Sequence, residues 1–173
     1  MAVDALKAKI RDVPDFPEPG IVFKDIMPLL ADPPCLRKTV ELLAEWVEPR
    51  RPDVILGAEA RGFILGAALA YKLDCGFVAA RRPGKLPWKT VSATYALEYG
   101  ENALELHADA IANGARVLVH DDVLATGGTA RAICDLAEQL GGQIVGVAFV
   151  IELGFLEGRK HLEGYDVNSL ITY

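Results

Sequence analysis

The chain has 173 residues, 51% of them apolar, which is enough for one globular domain with its own core and leaves no room for a second comparable unit. Its formal net charge of -6 speaks against a nucleic-acid partner, since such a surface clusters Lys and Arg to neutralise many phosphates; any anion site must be locally basic. No apolar run approaches the ~18 residues of a membrane span, and the charged opening MAVDALKAKIRDV has no signal core, so a cytoplasmic protein without membrane association is expected.

In chain order, Val3, Leu6, Ile10 and Val13 at helical spacing predict a short amphipathic helix, closed by the Pro-rich DVPDFPEPG loop that runs into IVFKDIMPLL. Asp32 before Pro33 and Pro34 is a helix-start signal, and Leu36, Val40, Leu43 and Val47 carry the apolar stripe as far as Pro49. DVILGA reads as a buried strand, GFILGAALAYKL as a helix and CGFVAA as a second strand. The segment RRPGKLPWKTVSATYALEYGENALELH then alternates on both sides of Gly100, Glu101 and Asn102, which predicts an inserted hairpin turning at those residues. RVLVHDD is a third core strand, GTARAICDLAEQLGG a helix ending at Gly141, and QIVGVAFVIEL a fourth strand. Alternating strands and helices imply an α/β fold with a parallel sheet flanked by helices, whose ligands bind beyond the carboxyl ends of the strands. Cys35, Cys75 and Cys134 lie far apart without metal-ligand spacing and read as reduced core thiols.

The most informative stretch is VLVHDDVLATGGTA, Val117 to Ala130. An apolar strand ends in Asp121 and Asp122, and Ala125, Thr126, Gly127, Gly128 and Thr129 then open a helix. The glycines let backbone N–H groups converge, the threonines add hydroxyl donors, and the helix dipole favours an anion there. With neither a Walker lysine nor GxGxxG in the chain, a monophosphate suits this loop better than a nucleotide triphosphate or dinucleotide. Two carboxylates beside it would repel phosphate, but they can accept from the hydroxyls of a sugar whose 5′-phosphate occupies the loop. A strand-end cap with a tight turn would explain the acids without a ligand. A magnesium-binding receiver domain is a sharper rival, although its acids open the first strand rather than follow the third.

The acid pair with ATGGT resembles the ribose-phosphate signature of type I phosphoribosyltransferases. FPEPGIVFKDI, GAEARGF, RRPGKLP, TYALEYG and GFLEGR are similar, in order and over nearly the whole chain, to blocks of the adenine phosphoribosyltransferases. The resemblance implies a type I phosphoribosyltransferase-like sheet with a small hood or hairpin. It also implies transfer of the 5-phosphoribosyl group of phosphoribosyl pyrophosphate (PRPP) to adenine, giving AMP and pyrophosphate through an oxocarbenium-like transition state. Magnesium, held mainly by PRPP with no dedicated protein ligands, is the implied cofactor, and a homodimer the implied assembly. By the same resemblance Asp121, Asp122 and residues Ala125, Thr126, Gly127, Gly128 and Thr129 bind the ribose phosphate. Glu59, Ala60, Arg61, Arg81, Arg82 and Lys85 hold pyrophosphate, with a strained Glu59–Ala60 peptide and with Arg81 reaching the neighbouring subunit. Val22, Phe23 and Lys24 read adenine through main-chain groups, Phe23 stacking on the base opposite Val123 and Leu124. In the hood, Glu98 handles the purine proton and Tyr99 closes the site; Glu98 and Arg61 are thus the implied catalytic residues.

The chain departs from the family at Pro83, where many relatives carry a cation, and at His120, where an apolar residue is usual; a hydrogen-bonded core histidine is the expectation for the latter. A transferase for an oxo-purine or orotate would lack the FPEPGIVFKDI block. A PRPP-sensing regulator would need a DNA-binding module for which this chain has neither length nor charge.

Overall fold

The computed structural model describes residues 2–96 and 101–173, which form two compact units, residues 1–42 and 43–173. In the first, helix α1 (Ala2–Lys7) is followed by an antiparallel ribbon of β1 (Arg11–Pro14) and β2 (Val22–Asp25), then by α2 (Met27–Ala31). The predicted N-terminal helix is therefore shorter than its apolar spacing suggests, and Val13 lies in a strand opposite Phe23. Pairing decides the matter: Arg11 meets Asp25 at 2.6 Å and Lys24 meets Asp12 at 2.6 Å, cross-strand ion pairs that a continuing helix would forgo. The boundary between the units falls within α3 (Pro33–Val47), the helix announced by Asp32, whose side chain accepts from the Cys35 N–H at 3.1 Å.

The second unit is built on a parallel sheet of five strands in the order β4-β3-β7-β8-β9, with β3 spanning Val54–Ala58, β4 Gly76–Ala80, β7 Arg116–Leu124, β8 Gln143–Glu152 and β9 Val167–Thr172. Four strands coincide with the apolar runs of the sequence; β7 continues two residues past the acid pair, and β9 was not anticipated. Along β7 the pleat alternates: Val117 and Val119 join the core with Ile133, Cys134 and Leu136 of α5 (Gly128–Gln139), whereas His120 faces Gly66 of α4 (Gly62–Leu73). The two helices thus cover opposite faces, as a parallel sheet requires. β5 (Thr90–Ala96) and β6 (Glu101–His107) form the inserted hairpin, and Leu104 and Leu106 pin it to the same core as α5. Glu101 and Asn102 pair with Ala96 and Tyr95, so they are strand residues rather than the predicted turn, while Gly100 lies outside the described residues.

His120 is fully buried, and its Nδ1 donates to the Ala148 carbonyl at 2.9 Å across to β8, the core histidine expected. Burial lowers its pKa from 6.5 to about 4, so it is neutral at pH 7. Between pH 6.5 and about 4 the unfolded chain takes up a proton that the native chain refuses, so stability falls with falling pH in that window, by about 3 kcal/mol in all. His120→Asn, which keeps a donor and cannot titrate, is expected to flatten that part of the pH dependence of urea unfolding. An unchanged slope would assign the titration to another group.

Candidate active site

The sheet order places β3 beside β7, with the chain leaving β3 toward β4 on one side and β7 toward β8 on the other. Ligands of open parallel sheets sit beyond the carboxyl ends at such a reversal, where two adjacent loops diverge and leave a crevice. Here the diverging loops are Glu59–Ala60–Arg61 after β3 and residues 125–127 after β7.

The second loop opens α5. Gly127 caps the helix with φ of 89°, a left-handed conformation that costs glycine little. Asp121, Val123, Ala125, Thr126, Gly127 and Thr129 line a small cavity of about 60 Å³ at this helix start. A second cleft, about 300 Å³, is lined by Glu59, Ala60, Arg61, Arg82, Asp121, Asp122 and Thr129 together with Tyr95, Asn102 and Leu104 of the hairpin. Asp121 and Thr129 line both spaces.

The acid pair is electrostatically divided. Asp122 is buried and held by the Nε of Arg61, which caps α4. Asp121 accepts the Asp122 N–H at 2.8 Å. Its carboxyl is pushed well above the ordinary range, by loss of solvent first and then by the neighbouring charge of Asp122, with Arg61 opposing more weakly. This carboxyl lines both the small cavity and the cleft.

On the β3 side, the Glu59–Ala60 peptide is cis. Glu59 accepts from Arg81 at 3.2 and 3.3 Å and from the Arg82 N–H at 3.0 Å, and its carboxyl is held below the usual range chiefly by Arg81. Arg81 also donates to the Lys85 carbonyl at 3.1 Å, so its guanidinium is engaged within its own chain, and it is Arg82 that lines the cleft. Val123 and Leu124 both line the small cavity, Leu124 as a buried residue. Val22, Phe23 and Lys24 form β2 of the first unit, where Phe23 packs edge-on against Phe16 at 5.3 Å. Glu98 and Tyr99 lie outside the described residues.

Sequence reasoning missed Tyr95 and Asn102, which the hairpin brings to the cleft, and the hydrogen bond from the Thr129 hydroxyl to the Tyr95 hydroxyl at 3.1 Å. Tyr95 lay inside TYALEYG, so the block held the signal, but the contact joins residues 34 apart.

The family described as phosphoribosyl transferase domain matches residues 28–171. The adenine phosphoribosyltransferase of Rubrobacter xylanophilus is 57% identical over 172 residues, covering 99% of this chain and 93% of that protein. The chain belongs to the adenine phosphoribosyltransferases. It is therefore an enzyme of the pentosyltransferase class, and its fold is the one that the sequence resemblance implied. The crystal structure of the adenine phosphoribosyltransferase from Thermoanaerobacter pseudethanolicus has a TM-score of 0.97 to it at 51% identity, with 99% of both chains covered. The Saccharomyces cerevisiae adenine phosphoribosyltransferase, complexed with an imino-altritol bisphosphate and adenine, has a TM-score of 0.93 at 38% identity, with 98% of both chains covered. The crevice at the β3/β7 reversal thus brings together the Gly-rich loop of residues 125–129 and the acid pair.

Proposed function

We propose that the enzyme transfers the 5-phosphoribosyl group of PRPP to adenine. The C1–O bond to pyrophosphate breaks, a bond from C1 to a purine nitrogen forms, and the purine proton leaves. The observation that carries this reading is the pair of spaces sharing Asp121 and Thr129, one sized for a phosphate and the other for a sugar and its leaving group. The yeast relative with a bisphosphate and adenine supports combining a phosphorylated ligand with that base.

In this reading, the loop from Ala125 through Thr126, Gly127 and Gly128 to Thr129 holds the 5′-phosphate at the start of α5, where backbone N–H groups have no partners within the helix. Asp121 and Asp122 accept from the ribose hydroxyls and face the positive charge that grows on the ring. Arg61, Arg82 and the Glu59–Ala60 backbone receive pyrophosphate, with Arg81 and Lys85 adding positive charge nearby. Val22, Phe23 and Lys24 read the base, Val123 and Leu124 support it, and an oxo-purine would invert the main-chain donor and acceptor pattern and leave buried groups unpaired. Glu98 takes the purine proton, a role worth ~10²–10⁴-fold in rate, and Tyr99 closes the site against water.

Among the described residues no group of three or more His, Cys, Asp or Glu gathers to hold a metal. The available donors are Asp121 and an Asp122 already paired with Arg61, a set that fits an ion liganded mainly by substrate. Magnesium, when bound, supplies positive charge to the departing pyrophosphate. The assembly is a homodimer in the cytoplasm. Ile64, Ala67 and Tyr71 leave an exposed apolar stripe along α4, with Tyr71 91% exposed, which a second copy would cover. Among the described residues no helix is long and apolar enough to cross a membrane.

AMP formation from PRPP and magnesium, with adenine, hypoxanthine, guanine and orotate in parallel, tests the reading. Turnover is expected with adenine alone, from a species sedimenting at twice 18.7 kDa. Turnover with an oxo-base would overturn the specificity, and PRPP binding without turnover would make the protein a sensor.

A further inference from the structure

The GFLEGR block has no part in the chemistry above, yet it lies directly against the phosphate loop. A Cβ on Gly158 would stand 2.2 Å from the Ala125 carbonyl oxygen, and one on Gly127 would stand 2.3 Å from the Gly158 carbonyl oxygen. Two backbones thus meet glycine to glycine, each lacking the side chain that would part them. The segment is tied at its start: Leu153 N–H donates to the Leu124 carbonyl at 2.9 Å, and Gly154 N–H to the Tyr173 carbonyl at 3.0 Å.

The residue after Gly158 is fixed as firmly. Arg159 donates to both oxygens of Glu152 at 2.7 Å each, through Nε and a terminal nitrogen, and its other terminal nitrogen donates to the Val167 carbonyl at 2.9 Å. Glu152 is a buried carboxylate at the carboxyl end of β8 and pairs in register with Leu124, the last residue of β7. A bidentate pair of this kind adds little net stability over apolar packing of similar volume, but it fixes geometry through planar, two-point contact. The Arg159 guanidinium thus bridges Glu152 of β8 and the Val167 carbonyl of β9.

We infer that Arg159, anchored by Glu152, is a positioning residue that presses the Gly158 backbone against Ala125 and Gly127 and so sets the shape of the phosphate loop. The inference rests on the reading that the 125–129 loop holds the sugar phosphate. It predicts that damage to the brace weakens binding of the phosphorylated sugar and spares the base.

The test uses ribose 5-phosphate binding to the whole enzyme, with KM for PRPP and for adenine and kcat measured beside it. Removing the arginine alone would strand a buried carboxylate and compromise folding, so the variants are Arg159→Lys and the double change Glu152→Gln with Arg159→Met. Gly158→Ala pushes on the loop without touching the ion pair. Each is expected to weaken ribose 5-phosphate and raise KM for PRPP about 10-fold or more, with Arg159→Lys the mildest, while KM for adenine and kcat at saturation move less than about twofold. Equal losses for both substrates, or a fall in kcat alone, would reduce the pair to a structural role and overturn the inference. Thr129→Val, inside the loop itself, separates the two ideas. If it weakens ribose 5-phosphate and the brace variants do not, the brace fails alone; if it leaves ribose 5-phosphate binding unchanged, the loop assignment fails and the brace with it.

Discussion

Gly127→Ala is expected to cost the enzyme about 2–5 kcal/mol of stability and roughly 10²-fold in kcat/KM for PRPP. Two effects add. At φ of 89° an L side chain is strained, which alone costs about 1–2 kcal/mol. The new methyl also meets backbone, the Gly158 carbonyl oxygen at 2.3 Å, and backbone held by the ties at Leu153 and Arg159 cannot swing aside as a flexible side chain would. The loop must therefore move, and it is the loop that lines the 60 Å³ cavity. Thermal unfolding should show a drop of roughly 5–15 °C, from the usual scaling for a chain of this size. Gly20 is the control: it too has φ of 89°, but an added Cβ meets nothing within 4 Å. Gly20→Ala should show the conformational strain alone, so matching losses at the two positions would show that the contact with Gly158 contributes nothing.

That contact also marks the limit of what the sequence revealed. The glycines of ATGGT and GFLEGR were legible as motifs, and the first was legible as chemistry, because a Gly-rich turn between an apolar strand and a helix has few other uses. The second had no local reading: Gly158 matters only through Ala125, and nothing in either segment names the other. Arg61 and Asp122 show the same pattern, each recognisable as a site residue, but their pairing spans 61 positions.

The core strands β3, β4, β7 and β8 were readable because burial on both faces demands unbroken apolar runs. At β9 the sheet ends, and Asn168 and Ser169 interrupt the run, so the same signal fades. The N-terminal segment failed in the opposite sense. Its helical spacing is real as far as Leu6, but the helix ends at Lys7, the buried Ile10 follows it, and strand pairing through Arg11 and Asp12 takes over where spacing alone would extend the helix. Tertiary pairing outweighs a local periodicity that spans only a few turns.

Asp121→Asn should separate function from stability most sharply, making the free enzyme more stable and the catalyst worse. The Asp121 carboxyl is raised above its ordinary pKa of 3.8 by loss of solvent first and then by Asp122, so its ionised form opposes folding. The native state holds that proton more tightly than the unfolded chain, so the penalty is fully present above the native pKa and disappears as the pH falls toward 3.8. Asparagine keeps an oxygen to accept the Asp122 N–H and removes the charge. The variant should therefore melt above the parent at pH 7, with the gap closing in acid. On the proposed function catalysis runs the other way, since a neutral amide would lose the charge-assisted hydrogen bond to a ribose hydroxyl and the attraction to an oxocarbenium-like ring, about 1.5–3 kcal/mol or 10- to 100-fold in kcat/KM for PRPP. PRPP with magnesium should raise the melting temperature of the parent far more than that of Asp121→Asn, because ligand binding relieves a strained carboxylate only where one exists. A variant that melts lower than the parent at pH 7, or is stabilised equally by PRPP, would show that Asp121 is satisfied within the protein and does not wait on the sugar.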